Sequence, residues 1–345
     1  MAAPSLTLSN PGVINGDSGT WAKDNALFLK VFSSEVLTAF KRSCIFEPFT
    51  QVRTIQNGRS AQFPVTGRFT AKYTTPGEML VGQGDMAQNE VVIRIDDYLI
   101  ADATLYSLQE AKAHFDIRSI YSTELGEALA REHDKRIART IALGAATSTT
   151  DLTADLPSGL SPDDPFRTGT IVDINKATPT ADDFVAAAFA AAEALDRKDI
   201  SSDNRVLACT PEAFYTMLQS SRLVNADFNQ PGANGSYASG TVARVAGFNI
   251  VVSNNIAQGS VTAKTGEQGY VSNGSVVKST VDMSNTHMLA FQKGGVGVVK
   301  LRDISVGQTG NDYDVMYNAT LMTTKMAVGV GCLRPECCVS IVNDA

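Results

Sequence analysis

The chain has 345 residues, 43% of them apolar and 19% charged, with a net charge of −7 at neutral pH. That is enough apolar chain for one large domain or two of ordinary size, and the charge gives no reason to expect a nucleic-acid reader. No apolar run approaches bilayer-spanning length, and MAAPSLTLSNPG lacks the basic-then-apolar layout of a signal peptide, so a soluble protein made in the cytoplasm is expected.

The first twenty residues are polar and rich in Gly, Pro and Ser, and are expected to be flexible unless a partner holds them. In AKDNALFLKVFSSEVLTAFKRS, residues Leu27, Phe28, Val31, Phe32, Val36, Leu37 and Phe40 make a broad apolar helical face, with Asp24 as N-cap. The periodicity fits equally a docking arm and a core helix of this subunit.

Residues 51–90 read as a long two-stranded arm. Two extended runs flank Asn57-Gly58, a strong hairpin signal because both residues tolerate positive φ. Phe69, Ala71 and Tyr73 alternate with Thr70, Lys72 and Thr74, a Pro76-Gly77 turn follows, and Val91, Ile93 and Ile95 resume the alternation on a return strand. An isolated two-stranded ribbon is marginal in water, so the missing contacts are expected from a neighbouring copy of the chain.

From Ser107 to Ala146 no proline interrupts a helical pattern, with Asp116 near its start and Gly144 near its end. Ile117, Ile120, Tyr121, Leu125, Ala128, Leu129, Ile137, Ala138 and Ile141 trace its apolar stripe, and Glu127–Arg131 and Glu132–Arg136 are spaced as i,i+4 pairs. After a Pro/Asp/Ser/Thr-rich stretch, Thr147 to Asp164, an α/β or α+β lobe is expected. In it, Thr180 caps an Ala-rich helix through Leu195, RVLAC is a buried strand and Thr210-Pro211 opens another helix. Residues 225–240 are expected to loop. GFNIVV, HMLAFQ and VGVVKLRDISVGQ read as strands, as does the run from DYDVMYNATLM to CCVSIV.

Little points to chemistry. The five cysteines have no zinc spacing and read as small buried apolar groups. No H-x-x-x-H pair, nucleophile elbow or Walker loop is present, and Gly82-Gln83-Gly84-Asp85-Met86-Ala87 precedes a strand where a dinucleotide site needs a helix. The acidic pairs Asp163-Asp164 and Asp182-Asp183 fit a loop and a helix first turn. Trp21, Tyr106 and Tyr121 are aromatic anchors of core or interface. No catalytic, metal or cofactor residue is assigned.

Several segments then carry a resemblance: ALFLKVFSSEVLTAF, VRTIQNGRSAQFPVTGR, TPGE, HFDIRSIYSTELGEALA, VGVVKLRD and GCLRPE. In this order they resemble the major capsid proteins of short-tailed bacteriophages, the podovirus and autographivirus-like group. The resemblance implies an α+β fold, the shell fold shared by tailed phages and herpesviruses. Its parts would be an N-terminal arm (1–48), an extended loop hairpin (49–98), a peripheral domain with a long spine helix (99–147 and 292–328) and an axial domain (148–291 and 329–345). It implies hexamers and pentamers of one chain in an icosahedral shell, a scaffolding protein and portal during assembly, and packaged double-stranded DNA held without sequence preference. A virion protein made in the host bacterial cytoplasm, with no membrane partner, would follow. Some relatives with this fold crosslink through lysine and asparagine; Lys72 lies in the loop, but no partner asparagine or catalytic carboxylate can be placed, so that chemistry is not carried over.

Within such a shell, Trp21, Phe28, Phe32, Phe63, Phe69 and Tyr73 are candidate inter-subunit anchors, because burying an aromatic stabilises more than pairing a rim charge. Arg53, Arg59, Arg68, Lys72 and Glu78 are candidate ion-pair partners; as plain surface charges each would contribute ~0–1 kcal/mol. Two other readings stand beside this one: a nanocompartment shell of the same fold packaging a cargo enzyme, and an α/β enzyme without a recognisable motif.

Overall fold

The computed structural model describes residues 35–40, 43–66, 73–79, 88–95, 97–112, 117–148, 168–220, 244–256, 259–262, 267–272, 275–276, 279–309 and 311–344. In chain order these form β1 (Gln51–Thr54), β2 (Ser60–Thr66), β3 (Gln88–Arg94), β4 (Tyr98–Tyr106), α1 (Ser107–Lys112), α2 (Ile117–Ala145), β5 (Thr170–Asp173), α3 (Ala181–Asp196), β6 (Arg205–Cys209) and α4 (Pro211–Met217). There follow β7 (Arg244–Val245), β8 (Phe248–Val252), β9 (Ser260–Thr262), β10 (Glu267–Ser272), β11 (Ser275–Val276), β12 (Thr280–Asp282), β13 (Thr286–Gln292), β14 (Val296–Gln308), α5 (Asn311–Tyr317), β15 (Ala319–Cys332) and β16 (Cys338–Val342). The chain divides into two units, the first comprising Met1–Cys44, Asp97–His133 and Arg302–Val328 and the second Ile45–Asp96, Asp134–Leu301 and Gly329–Ala345.

In the first unit, β4 pairs antiparallel with β15 from Tyr106↔Ala319 to Tyr98↔Ala327. Alternation along β4 sends Ala101, Ala103 and Leu105 inward, where they join Val36, Leu125 and Met322, with Tyr121, Ile304 and Val306 packed alongside. The helical residues 35–40 bury Val36 and Phe40 in their own unit, and Ser122 Oγ donates to Glu35 Oε2 at 2.7 Å. For this stretch the core-helix reading holds. Gly126 permits the approach: a Cβ built there would stand 2.6 Å from the Val36 carbonyl oxygen.

The spine helix α2 runs from Ile117 to Ala145, close to the expected bounds; Asp116 lies outside the described residues and Gly144 falls within the last turn. Leu125, Leu129, Ile137, Ala138 and Ile141 are buried as the stripe requires, whereas Ile120 and Ala128 are exposed. Arg131 does not pair with the Glu127 carboxylate. Its Nη2 reaches Glu124 at 3.5 Å, and its Nε donates to the Glu127 carbonyl at 3.3 Å. DYDVMY is helical (α5) rather than extended.

The second unit is built on a mixed sheet ordered β5-β16-β13-β6-β8-β7. β6 and β16 are buried at every position, since neighbours flank them and layers cover them. Helix α3 packs Phe184, Ala188, Ala191 and Leu195 against this sheet, and α4 adds Ala213 and Met217. Thr210 Oγ1 accepts from Ala213 N at 3.3 Å, as an N-cap should. Cys209, Cys332, Cys337 and Cys338 are buried and Cys44 is half-buried; burial pushes the Cys209 and Cys337 thiols up to about 12, the mark of inert packing groups.

At the start of α3, Asp183 accepts from Thr180 N at 2.9 Å, from Thr180 Oγ1 at 2.7 Å and from Lys176 Nζ at 2.5 Å. The Lys176 ammonium, then the Thr180 donors, hold its carboxyl at about 2, below the ordinary 3.8. The folded value lies below the unfolded one, so this stabilisation is complete above 3.8 and is lost as pH falls through about 2. Asp183→Asn should lower the thermal midpoint at neutral pH and flatten its acid-side decline; an unchanged decline would show that other carboxylates set it.

Candidate assembly surface

The ribbon expected to project from the fold is β2 and β3, paired antiparallel from Ser60↔Arg94 to Thr66↔Gln88. The Asn57-Gly58 hairpin does not form. β1 pairs parallel with β14, from Gln51↔Gly297 to Thr54↔Lys300, so residues 55–59 are a corner between strands with different partners. Gly58 does take the positive φ, +105°, that its turn signal implied.

The root of the ribbon is fastened within the second unit. Asp134 accepts from Ile45 N at 2.9 Å and Phe46 N at 3.2 Å, and Phe46 stacks edge-on against Phe291. Glu47 pairs with Lys300, both largely shielded from solvent, and Ile55 N donates to Lys300 O at 2.9 Å. On the return side, Ile95 N donates to Arg59 O at 2.8 Å.

Three glycines clear the bed on which β3 lies. A Cβ at Gly329 would meet Arg94 O at 2.4 Å, at Gly331 it would meet Ile93 Cγ1 at 2.7 Å, and at Gly297 Ile93 Cδ1 at 2.9 Å. Val91, Ile93 and Ile95 are buried there, as are Ala61 and Phe63 from β2. This corrects the expectation of a ribbon unable to bury itself: its base belongs to its own unit. Phe63, a candidate anchor for a neighbour, is only 9% exposed and lies under Arg53, whose guanidinium carbon is 5.5 Å from the ring centroid. Arg53 Nη1 also donates to Gln62 O at 2.8 Å. Both side chains are thus engaged inside the chain.

Further out the situation reverses. Residues 75–78 form the expected turn, with Glu78 N donating to Thr75 O at 3.1 Å and Gly77 at φ +95°. Tyr73 is 106% exposed and Met79 84%. Glu78 accepts from Thr75 Oγ1 at 3.2 Å, and Arg59 is exposed. Trp21, Phe28, Phe32, Arg68, Phe69, Lys72 and the Gly82–Ala87 string lie outside the described residues.

The first unit offers a second exposed apolar area, of which the sequence had singled out only Tyr106. Tyr98, Ile100 and Tyr106 share the outer face of β4, and Leu108, Val315, Met316 and Tyr317 are exposed on α1 and α5. Tyr106 lies opposite Ala319, and Ser107 N donates to Asn318 O at 3.1 Å, so the β4–α1 and α5–β15 junctions adjoin. The signal was present in YLIADATLY, where apolar residues occupy both registers of the alternation. With the other face covered, Tyr98, Ile100 and Tyr106 stand exposed beside Asp102.

A family model described as "Gp10A-like: Major capsid protein" matches residues 62–342. The chain belongs to this family. Over 336 residues the capsid protein is 33% identical to the major capsid protein of Escherichia phage T7, across 92% of either chain. It is also similar to the chain in the capsid structure of cyanophage P-SCSP1u, with 35% identity, a TM-score of 0.72, and coverage of 96% and 97% of the two chains. The mature capsid of bacteriophage PhiM1, 19% identical with a TM-score of 0.67 over 87% of each chain, shares the fold. The molecule is therefore a major capsid protein with the α+β fold of tailed-phage shells, a structural component of an icosahedral head and a member of a family that is not enzymatic. Among the described residues no helix is long and apolar enough to cross a membrane.

Proposed function

We propose that copies of this capsid protein close into hexamers and pentamers by laying the outer part of the ribbon over a neighbour, with the N-terminal arm docked alongside. The carrying observation is the contrast along one ribbon: a root buried among Val91, Ile93 and Phe63, and a tip that leaves Tyr73 and Met79 in solvent. Exposed apolar groups of this size on an ordered turn are stabilised by a partner, and a shell supplies many identical partners. In this reading 1–48 is the arm, 49–98 the extended loop, 99–147 with 292–328 the peripheral domain, and 148–291 with 329–345 the axial domain. Assembly on a scaffolding protein around a portal, in the host cytoplasm, precedes packaging of double-stranded DNA. The net charge of −7 suits a wall that encloses DNA without gripping it.

Phe69 and Tyr73 are the proposed anchors and Arg59, Arg68, Lys72 and Glu78 the rim charges. The double substitution Phe69→Ala, Tyr73→Ala should leave thermal stability of the subunit unchanged while reducing assembled shells, counted by electron microscopy and sedimentation, at least tenfold. Normal shells from the double variant would remove the ribbon tip as the anchoring element.

A further inference from the structure

The corner between β1 and β2 combines an exposed asparagine with the residue that exposes its backbone most. Asn57 is exposed, and Gly58 is held at φ +105° with no atom within 4 Å of where a Cβ would stand. Among the described residues, no hydrogen bond engages the Asn57 side-chain amide or the Gly58 N–H. On either side the chain is pinned, by Ile55 N to Lys300 O at 2.9 Å and by Ile95 N to Arg59 O at 2.8 Å. The stretch left between these pins is Gln56, Asn57 and Gly58.

We propose that Asn57 is a site of spontaneous deamidation through a cyclic imide. The Gly58 nitrogen attacks Asn57 Cγ, the bond from Cγ to the side-chain nitrogen breaks, and ammonia leaves with the proton shed by the Gly58 amide. Water then opens the five-membered imide at either carbonyl, leaving aspartate or, with one extra main-chain methylene, isoaspartate. The net change is hydrolysis of one amide by one water, and no electrons are transferred. Glycine matters because a side chain at position 58 would crowd the attacking nitrogen.

The product changes the root of the ribbon. A carboxylate appears between Arg53 and Arg59 in the sequence, and adds a negative charge to a corner that is flanked by two arginines. The isoaspartate form lengthens the corner between two strands whose registers are fixed by β14 and β3 separately, so the corner absorbs the added length. The particle would thereby carry a chemical record of its age at the base of each loop.

The purified chain, aged in mildly alkaline buffer at physiological temperature, provides the test. Trypsin cuts after Arg53 and Arg59 and releases Thr54–Arg59, which contains Asn57-Gly58 and none of the other three Asn-Gly pairs (Asn15-Gly16, Asn234-Gly235 and Asn273-Gly274). Mass spectrometry reads amide-to-acid conversion, fragmentation separates isoaspartate from aspartate, and digestion in heavy-oxygen water marks conversion during digestion. Asn57 should convert within tenfold of the rate of the free hexapeptide Thr-Ile-Gln-Asn-Gly-Arg, with isoaspartate in the product; Asn57→Gln should stop conversion in this peptide. Conversion more than tenfold slower than the hexapeptide, in protein whose circular dichroism is native, would overturn the proposal.

Discussion

Replacing Gly329 by valine is expected to unseat the return strand of the ribbon and abolish shell formation. The Cβ would stand 2.4 Å from the Arg94 carbonyl oxygen and 3.1 Å from Ile95 Cγ1. The nearer obstacle is main chain, so no rotamer change relieves the contact; β3 itself must move. Overpacking a well-filled core costs about 1–3 kcal/mol when side chains can adjust, and a backbone clash belongs at or above the top of that range. Moving β3 also withdraws Val91, Ile93 and Ile95 from their bed, so the root that holds the tip in position is lost. Gly331→Ala is the internal comparison. Its Cβ meets Ile93 Cγ1 at 2.7 Å, the middle of a side chain with some room to turn, so its effect should be smaller. Thermal denaturation should order the variants Gly329→Val below Gly331→Ala below the parent, and electron microscopy should show no shells for the first. Equal midpoints for Gly329→Val and the parent would mean that β3 does not rest against β15.

The second large effect is expected at Gly126 on the spine. A Cβ there would stand 2.6 Å from the Val36 carbonyl oxygen, 2.9 Å from Ala39 Cβ and 3.3 Å from Phe40 N. Gly126→Val therefore pushes away the turn of helix that buries Val36 and Phe40, each worth ~1.5–3 kcal/mol when fully buried. The Ser122–Glu35 hydrogen bond is lost with it. Limited proteolysis should cut the variant within residues 35–43 many times faster than the parent. A parent-like digestion pattern would show that this helix does not depend on close approach to the spine.

These two glycines illustrate what pattern reading reaches and where it stops. The sequence sets Gly126 within a helical run and Gly329 within a strand run, but it does not say what approaches them, because the residues they make room for are 90 and 235 positions away in the chain. By contrast, the boundaries of α2 and α3, the Thr180 and Thr210 caps and the buried β6 are legible, since a cap or a period is set by residues a few positions apart. The Asn57-Gly58 corner lies between these cases. Its local signal correctly called for a positive φ, but the flanking strands pair with β14 and β3, which distant parts of the chain bring alongside, rather than with each other.

The same division applies to the assembly surface. Alternation and the instability of a lone ribbon marked this arm in the sequence, yet Phe63 and Tyr73, alike there as large residues on an extended run, have opposite fates. One is covered by Arg53 and the other stands in solvent. The outer face of β4 went unread because apolar residues on both sides of a strand do not say which side is covered.

By itself the amino-acid sequence determined the long helices and the principal strands, the Thr180 and Thr210 caps, the buried character of most of the cysteines and, through its matched segments, membership in a capsid family. Only the tertiary structure decided which strands pair, which glycines make room for β3 and residues 35–40, and which large side chains remain exposed for a neighbour. Helical period and capping depend on neighbours along the chain, whereas strand pairing and burial depend on groups brought together from distant positions.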